Sequence, residues 1–127
     1  MKFTKQLSEV REGSFHVLDP AKAKRMAAAT MYIPSSAEVL AAISEIGSGS
    51  TLTVAQLRKK IASQHGADTA CPAVVLKVWK WGAAAVETEG YPEFPWWRVT
   101  KDGKPSRHMP GGEEEHRLRL LREGVTI

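Results

Sequence analysis

The sequence predicts a mainly α-helical domain with one short β-hairpin, of the winged-helix-like helix-turn-helix kind. Capping boxes at Ser35 and Thr53, each with a Glu or Gln three residues later, begin two amphipathic helices. The Cys71-Pro72 pair begins a third, because proline is well tolerated in a first helical turn. The Asp102-Gly103 step is typical of a hairpin, since a type I′ turn needs positive φ at both central residues.

Length and composition indicate an ordinary globular protein. The 127 residues suit one domain with a single core, and 43% apolar with 25% charged residues is usual for such a chain. No stretch is long and apolar enough for a membrane span, and the first residues lack the apolar core of a signal peptide, so we expect a cytoplasmic protein. The lone Cys71 leaves no internal disulfide, which agrees with a reducing compartment. The net charge of +4 suits a polyanionic partner, although many basic proteins bind no nucleic acid.

Residues 1–34 are interpreted as an N-terminal extension and residues 35–127 as the main domain. In the extension, Asp19 is a good helix cap and Pro20 fits a first turn, so we expect a short basic helix over Ala21–Ala29. A basic cluster on such a helix is most often a solvated face, and an arm that contacts phosphates is the alternative. The cations of this cluster are Lys22, Lys24 and Arg25.

The first two helices of the main domain are indicated by their caps and their apolar spacing. One covers residues 36–46 and ends at the short connection 47–50. The next runs from Thr53 to about His65, before the natural stop at Gly66. Their inward faces are expected to carry Val39, Ile43 and Ile46 in the first helix, and Val54, Leu57 and Ile61 in the second.

The third helix is predicted from Pro72 to about Val86. Together with the helix before it, and with lysines on its outer face, it forms a helix-turn-helix pattern, although such pairs also occur in ordinary cores. Residues that recur every three or four positions should face inward. These are Val74, Val78, Trp81 and Ala85, while Lys77, Lys80 and Ala84 lie on another side.

The segment from Pro95 to Val99 reads Pro-Trp-Trp-Arg-Val. Two adjacent tryptophans are costly to expose, so they should line a cleft or complete a core. We expect Trp97 to Val99 to form the first hairpin strand, before the turn at Asp102-Gly103.

A final helix is predicted over Glu113–Glu123, after a polar loop at 104–112. Its acids come first and its arginines last, which complements the helix dipole. Glu113 with Arg117 and Glu115 with Arg119 are spaced for ion pairs. Leu118 and Leu121 are expected to point inward.

From about Ser35 to Val125 the chain resembles the DNA-binding domain of 6-O-alkylguanine-DNA alkyltransferases, and more closely the alkyltransferase-like proteins, which lack the acceptor cysteine. The alkyltransferase motif is Pro-Cys-His-Arg-Val. Here Pro95, Arg98 and Val99 match it, Trp96 stands at the cysteine position, and Trp97 replaces the histidine. Further matches follow in the family's order: the helix opening at Thr53, the Asp102-Gly103 turn, the Gly111-Gly112 pair and the stretch Leu120–Val125.

The resemblance implies a domain of the alkyltransferase C-terminal type that docks on double-stranded DNA, turns out an alkylated guanine and holds it in a pocket walled by Trp96. The implied lesion pocket consists of Trp96, Trp97, Arg98, Val54 and Met109. The implied DNA contacts are Thr53, Gln56, Cys71, Pro72, Ala73, Lys77, Lys80 and Arg107. Without a thiolate in the pocket no alkyl transfer follows. We therefore expect a non-enzymatic monomer, away from membranes, that flags the lesion for nucleotide excision repair.

The chain departs from the family at two residues that act on the base. The family's tyrosine in the first helix of the pair aligns with Val54, and its intercalating arginine aligns with Cys71 or Pro72. The chain is also one residue shorter than usual between Pro95 and the Asp-Gly turn. These losses affect the step that extrudes the base, while Lys77, Lys80 or Arg107 are candidates to substitute.

Two other functions stay open. One is a winged-helix-like DNA-binding or interaction module in which both tryptophans are core and no lesion is read. The other is alkyl transfer through Cys71, at a helix start where a thiolate is favoured, although a buried or capping thiol is the commoner case. We expect no cofactor and no metal, because the histidines are too scattered for a ligand spacing. They are His16, His65, His108 and His116.

Overall fold

The computed structural model describes residues 1–127 as a mixed α/β domain with six α-helices and five short strands. No helix is both long and apolar enough to cross a lipid bilayer. In chain order the elements are α1 Lys2–Glu9, β1 Ser14–Val17, α2 Pro20–Met26, β2 Thr30–Ile33, α3 Ser36–Ser44, β3 Leu52–Thr53, α4 Val54–Gln64, β4 Thr69–Ala70, α5 Pro72–Glu89, a 3-10 turn Trp96–Arg98, β5 Val99–Thr100 and α6 Gly112–Arg122.

The strands form two small sheets. In the first, β2 lies in the middle, antiparallel to β1 and parallel to β4. The second joins β3 to β5 in parallel, with Leu52 opposite Val99 and Thr53 opposite Thr100. The second sheet therefore connects the start of α4 to the strand that leaves the 3-10 turn.

The predicted hairpin after the tryptophans is wrong. Residues Trp96–Arg98 form a 3-10 turn, and the following strand pairs with β3 instead of folding back on itself. Gly103 has a φ of +89°, but Asp102 does not adopt positive φ, so the type I′ geometry is not formed. A Gly103 amide that donates to Thr100 Oγ1 at 3.1 Å closes this bend.

The helix starts are confirmed. Ser35 and Thr53 both form complete capping boxes, and the Asp19 carboxylate caps α2 by accepting from the Lys22 amide. The two prolines at helix starts, Pro20 and Pro72, occupy the first turns of α2 and α5. Helix α2 is shorter than predicted, since Ala27 adopts a left-handed conformation and ends it.

The inward faces of the last two helices differ from the prediction. On α5 the buried side chains include Val75 and Trp79, whereas Val74 and Trp81 are only half-buried. On α6 Leu118 and Leu121 are exposed, and His116 and Leu120 are buried instead. His116 and Leu120 are four residues apart, so the buried face of α6 has helical spacing. A pattern of apolar residues does not reveal this face, because one of its two members is a histidine.

The N-terminal extension packs onto the main domain. Leu7 is 3% exposed and belongs to the same core cluster as residues of α3, α4 and α5. The Glu89 carboxylate at the end of α5 accepts hydrogen bonds from the Phe3 and Thr4 amides at 3.0 and 2.9 Å, which caps α1. Strand β2 adds a further connection by pairing with β4.

Candidate nucleic-acid interface

The 3-10 turn that carries both tryptophans, Trp96–Arg98, is fixed by buried hydrogen bonds. The Trp79 indole N–H donates to the Trp96 carbonyl at 2.9 Å, and His116 Nε2 lies 2.9 Å from the Trp97 carbonyl. The Trp96 carbonyl also accepts from the Val99 amide, so the two side-chain bonds add ties from the turn to α5 and α6. The turn is therefore a rigid element between α5 and α6.

The protonation state of His116 follows from its two partners. Its Nδ1 accepts from the Ser106 amide at 2.9 Å, so Nε2 carries the proton that goes to the Trp97 carbonyl. Burial lowers the pKa of His116, and the ring is neutral at pH 7. Sequence reasoning considered this histidine only as a metal ligand and missed its structural role. Its spacing to Leu120, four residues on, was the available signal.

Arg98 is held inside the protein by a bidentate ion pair. Its Nη2 and Nε lie 2.7 and 3.0 Å from the two Glu123 carboxylate oxygens, and Nη1 donates to the Ile46 carbonyl at 2.7 Å. The hydrogen bonds from Arg98 lower the pKa of Glu123 to about 2. All three kinds of guanidinium nitrogen are used internally. Arg98 therefore has a structural role, and it also lines a hollow with Trp97, so its assignment to a lesion pocket stays a prediction.

The predicted pocket walled by Trp96 is absent. Trp96 is 0% exposed and lies in one core cluster with Val54 and Met109, which are 9% and 3% exposed. None of the surface hollows is lined by Trp96. The prediction that these three residues line an open pocket is therefore wrong, because their side chains belong to one buried core cluster.

Arg119 covers the tryptophans from the α6 side. Its guanidinium carbon lies 4.7 Å from the Trp96 ring centroid and 5.4 Å from that of Trp97, in cation–π contact. Ion pairs to Glu87 at 2.6 Å and Glu115 at 3.5 Å hold it there. The Arg119 side chain therefore covers the Trp96 ring on the side of α6.

Trp97 is the accessible indole of the pair. It is half-buried and borders a hollow of about 210 Å³ with Arg119, Arg122 and Glu123. It also borders a second hollow of about 280 Å³ beside Phe94 and Pro95. The nitrogen of this indole is buried and makes no hydrogen bond of good geometry. Its N–H group is still close enough to the Glu123 carboxylate to help lower the pKa of that group. An aromatic surface beside arginines is therefore present at Trp97, the second tryptophan of the predicted pocket, and not at Trp96.

A group of cations lies where α5 approaches the loop before α6. The pKa of His108 is lowered chiefly by Lys80, with further contributions from Arg107 and Lys101. A hollow of about 310 Å³ in this loop is lined by acidic residues, Asp102 and Glu113, and by basic ones, Lys101, Lys104, Arg107 and His108. None of these lysines or arginines has a carboxylate within ion-pair distance. We define the basic face as Lys77, Lys80, Lys101, Lys104, Arg107 and His108.

The remaining predicted DNA contacts lie at the first turns of α4 and α5. Thr53 and Gln56 form the α4 capping box, in which the Gln56 side chain accepts from the Thr53 amide at 2.9 Å. Cys71 and Pro72 are half-buried, and Ala73 is exposed. The Cys71 amide donates to the Tyr32 carbonyl at 2.9 Å, and its thiol makes no capping hydrogen bond.

No group of three histidine, cysteine, aspartate or glutamate side chains is placed to hold a metal ion. On α5, Ala73, Lys77 and Lys80 recur at helical spacing, so they share one outward side. The candidate interface therefore consists of the basic face and the first turns of α4 and α5. The half-buried Trp97 lies on the 3-10 turn. The chain matches no family model, no curated protein and no solved structure.

Proposed function

We propose that this protein binds duplex DNA without changing it chemically, through the α4–α5 pair and the basic face. The pair would then act as a helix-turn-helix unit of the alkyltransferase C-terminal type, with β5 and the following loop in the place of a wing. The observation that carries the proposal is the hollow whose lining includes Lys101, Lys104 and Arg107. The pKa of His108 in the same lining is lowered chiefly by Lys80, which agrees with this grouping of cations. Like charges repel, so unpaired cations gathered on one surface indicate an anionic partner.

The arrangement suits a phosphate backbone. Lys77 and Lys80 lie on the outward side of α5, and the first turn of that helix presents the small, exposed Ala73. Small residues at a helix start allow close approach to DNA, and lysines further along the helix reach phosphates. In α6, by contrast, Arg117 and Arg119 each have a glutamate partner within the chain, so those cations are already paired.

The test is a fluorescence anisotropy titration of a labelled duplex at several salt concentrations. Each phosphate contact contributes about 0.9 to the slope of log K against log salt, so Lys77→Ala with Lys80→Ala should lower the slope by up to about 2. The matched control is Lys2→Ala with Lys5→Ala, which removes the same charge from α1. Equal slopes for the wild type and the α5 variant would overturn the proposal, as would a wild type without salt-dependent binding.

Recognition of a 6-O-alkylated guanine is the second candidate. The half-buried Trp97 beside a hollow with two arginines favours it, because stacking on an aromatic ring contributes about 1–3 kcal/mol per base. In this proposal the bound lesion is presented to nucleotide excision repair. Trp97→Ala should then remove the preference for a 6-O-methylguanine duplex, whereas Trp81→Ala, a half-buried tryptophan on α5, should keep it. Equal wild-type affinity for methylated and unmodified duplexes would leave only the DNA-binding module.

The proposal includes that the protein does not transfer an alkyl group from the DNA to itself. Transfer needs a thiolate beside the alkyl group, and the one thiol, Cys71, is half-buried at the start of α5, away from the tryptophan turn in the chain. Mass spectrometry of the protein after incubation with 6-O-methylguanine duplex should show no gain in mass. A methyl adduct on Cys71 would instead establish an enzyme.

A further inference from the structure

We propose that residues 14–33, comprising β1, α2 and β2, form a second phosphate-contacting element that lengthens the contact with DNA. This inference rests on the proposed DNA binding and names a part of the chain that the resemblance leaves without a role. It depends on two independent features: how this unit is attached to the α4–α5 pair, and what charge it carries.

The attachment is to the connection between α4 and α5. Strand β2 pairs in parallel with β4, so that Met31 lies opposite Thr69 and Tyr32 opposite Ala70. The next hydrogen bond, from the Cys71 amide to the Tyr32 carbonyl, reaches the residue that begins α5. The N-terminal unit therefore runs alongside the segment that leads into the helix proposed to enter the groove.

Asp68 fixes the end of the unit that carries α2. Its carboxylate accepts from the Ala29 and Thr30 amides at 2.9 and 3.1 Å, and its own amide donates to Thr30 Oγ1 at 2.9 Å. Helix α2 ends at Met26, three residues before Ala29, and three extended residues span at most about 10 Å. The end of the basic helix is thus tied within that distance of the connection between α4 and α5.

The charge on α2 is unpaired. No carboxylate lies within ion-pair distance of its cations, and the one acid beside it, Asp19, is used to cap the helix. Its exposed lysine and arginine, Lys24 and Arg25, lie in the last turn, and Lys22 is half-buried. Phosphates recur about every 3.4 Å along each DNA strand, so a cation group tied within about 10 Å of the α4–α5 connection would have phosphates of a bound duplex within reach. The sequence alone favours the interpretation that the α2 cations only face solvent. The attachment at Asp68 favours the alternative, in which these cations contact phosphates.

The experiment compares two triple variants of the full chain. Lys22→Ala, Lys24→Ala and Arg25→Ala together remove the α2 charge, and alanine preserves helix propensity. The control, Lys2→Ala, Lys5→Ala and Arg11→Ala, removes the same charge from exposed positions in and after α1. Both are titrated against duplexes of about 10 and about 20 base pairs, one and two helical turns. Circular dichroism establishes that each variant is folded.

We expect the α2 variant to lower the salt slope by about 2 to 3 on the longer duplex and by less on the shorter one, while the control changes neither. Equal losses for the two triple variants, or no loss for the α2 variant, would overturn this inference. If in that case Lys77→Ala with Lys80→Ala still lowers the salt slope, the proposed DNA binding stands and only the role of α2 is refuted. A wild type that binds neither duplex removes both.

Discussion

Replacing Glu123 by glutamine tests the ion pair that holds the tryptophan turn to the end of α6. The Arg98 and Glu123 side chains are only 17% and 13% exposed, so solvent screens the pair weakly. The substitution removes the negative charge and keeps an oxygen that accepts a hydrogen bond from Arg98. It leaves a largely buried guanidinium with its Ile46 carbonyl contact but without a counter-charge.

The magnitude follows from the pKa of Glu123. Its value falls from 4.5 to about 2 on folding, and each unit corresponds to about 1.4 kcal/mol, so the ionised form stabilises the fold by about 3 kcal/mol. Because the folded pKa is depressed, this contribution is complete above about pH 5 and is lost as pH falls through about 2. By pH 3 about 2 kcal/mol of it is gone. At neutral pH the variant should melt about 10 °C below the wild type.

Urea denaturation of the wild type and of Glu123→Gln at pH 7 and pH 3 measures both quantities. The difference in unfolding free energy should be about 2–3 kcal/mol at pH 7 and about 1 kcal/mol at pH 3. The matched control is Glu114→Gln, since Glu114 is 81% exposed in its pair with Arg117 and should change stability by less than about 0.5 kcal/mol. A difference that does not shrink between pH 7 and pH 3 would refute the reasoning.

Three further predictions concern Trp96, His116 and Glu89. Trp96→Ala should cost about 3–5 kcal/mol in urea denaturation, since the indole is fully buried, and a loss below about 1 kcal/mol would contradict that position. Burial lowers the pKa of His116, so wild-type stability should decline as pH falls below about 6.5, where the unfolded state takes up the proton first. His116→Gln should make this decline smaller in unfolding measured between pH 7.5 and pH 5, while the contribution of His108, whose pKa is also lowered, remains. Glu89→Gln should speed hydrogen exchange at the Phe3 and Thr4 amides, and unchanged rates would exclude Glu89 as the cap of α1.

The features that could be predicted from the sequence are those encoded within one turn of chain. The caps at Ser35 and Thr53, the proline starts at Pro20 and Pro72, and the ordered charges of α6 all act between residues a few positions apart. Such interactions are the same in an isolated helix and in the folded protein. The start of every helix from α2 to α6 can therefore be predicted from the sequence to within about one residue.

The features that could not be predicted depend on distant partners. The strand at Val99 finds Leu52, and β2 finds β4, in parallel pairings that no turn signal marks. The roles of Trp96 and Trp97 depend on which indole enters the core, and adjacency in sequence cannot distinguish them. His116 is buried because the Ser106 amide and the Trp97 carbonyl satisfy both ring nitrogens, which a hydrophobic count does not register.

If the protein binds an alkylated guanine as proposed, the burial of Trp96 determines which tryptophan a flipped base would use. Exposing a tryptophan uncovers about 150–250 Å², which costs about 4–6 kcal/mol, whereas base stacking returns about 1–3 kcal/mol. Trp97 is already half-exposed and needs no such rearrangement. Trp96→Phe should therefore keep any preference for a 6-O-methylguanine duplex while Trp97→Phe weakens it, measured by anisotropy at fixed salt. If Trp96→Phe instead loses the preference with its fold intact, the base displaces the core indole, and the buried conformation is a resting state.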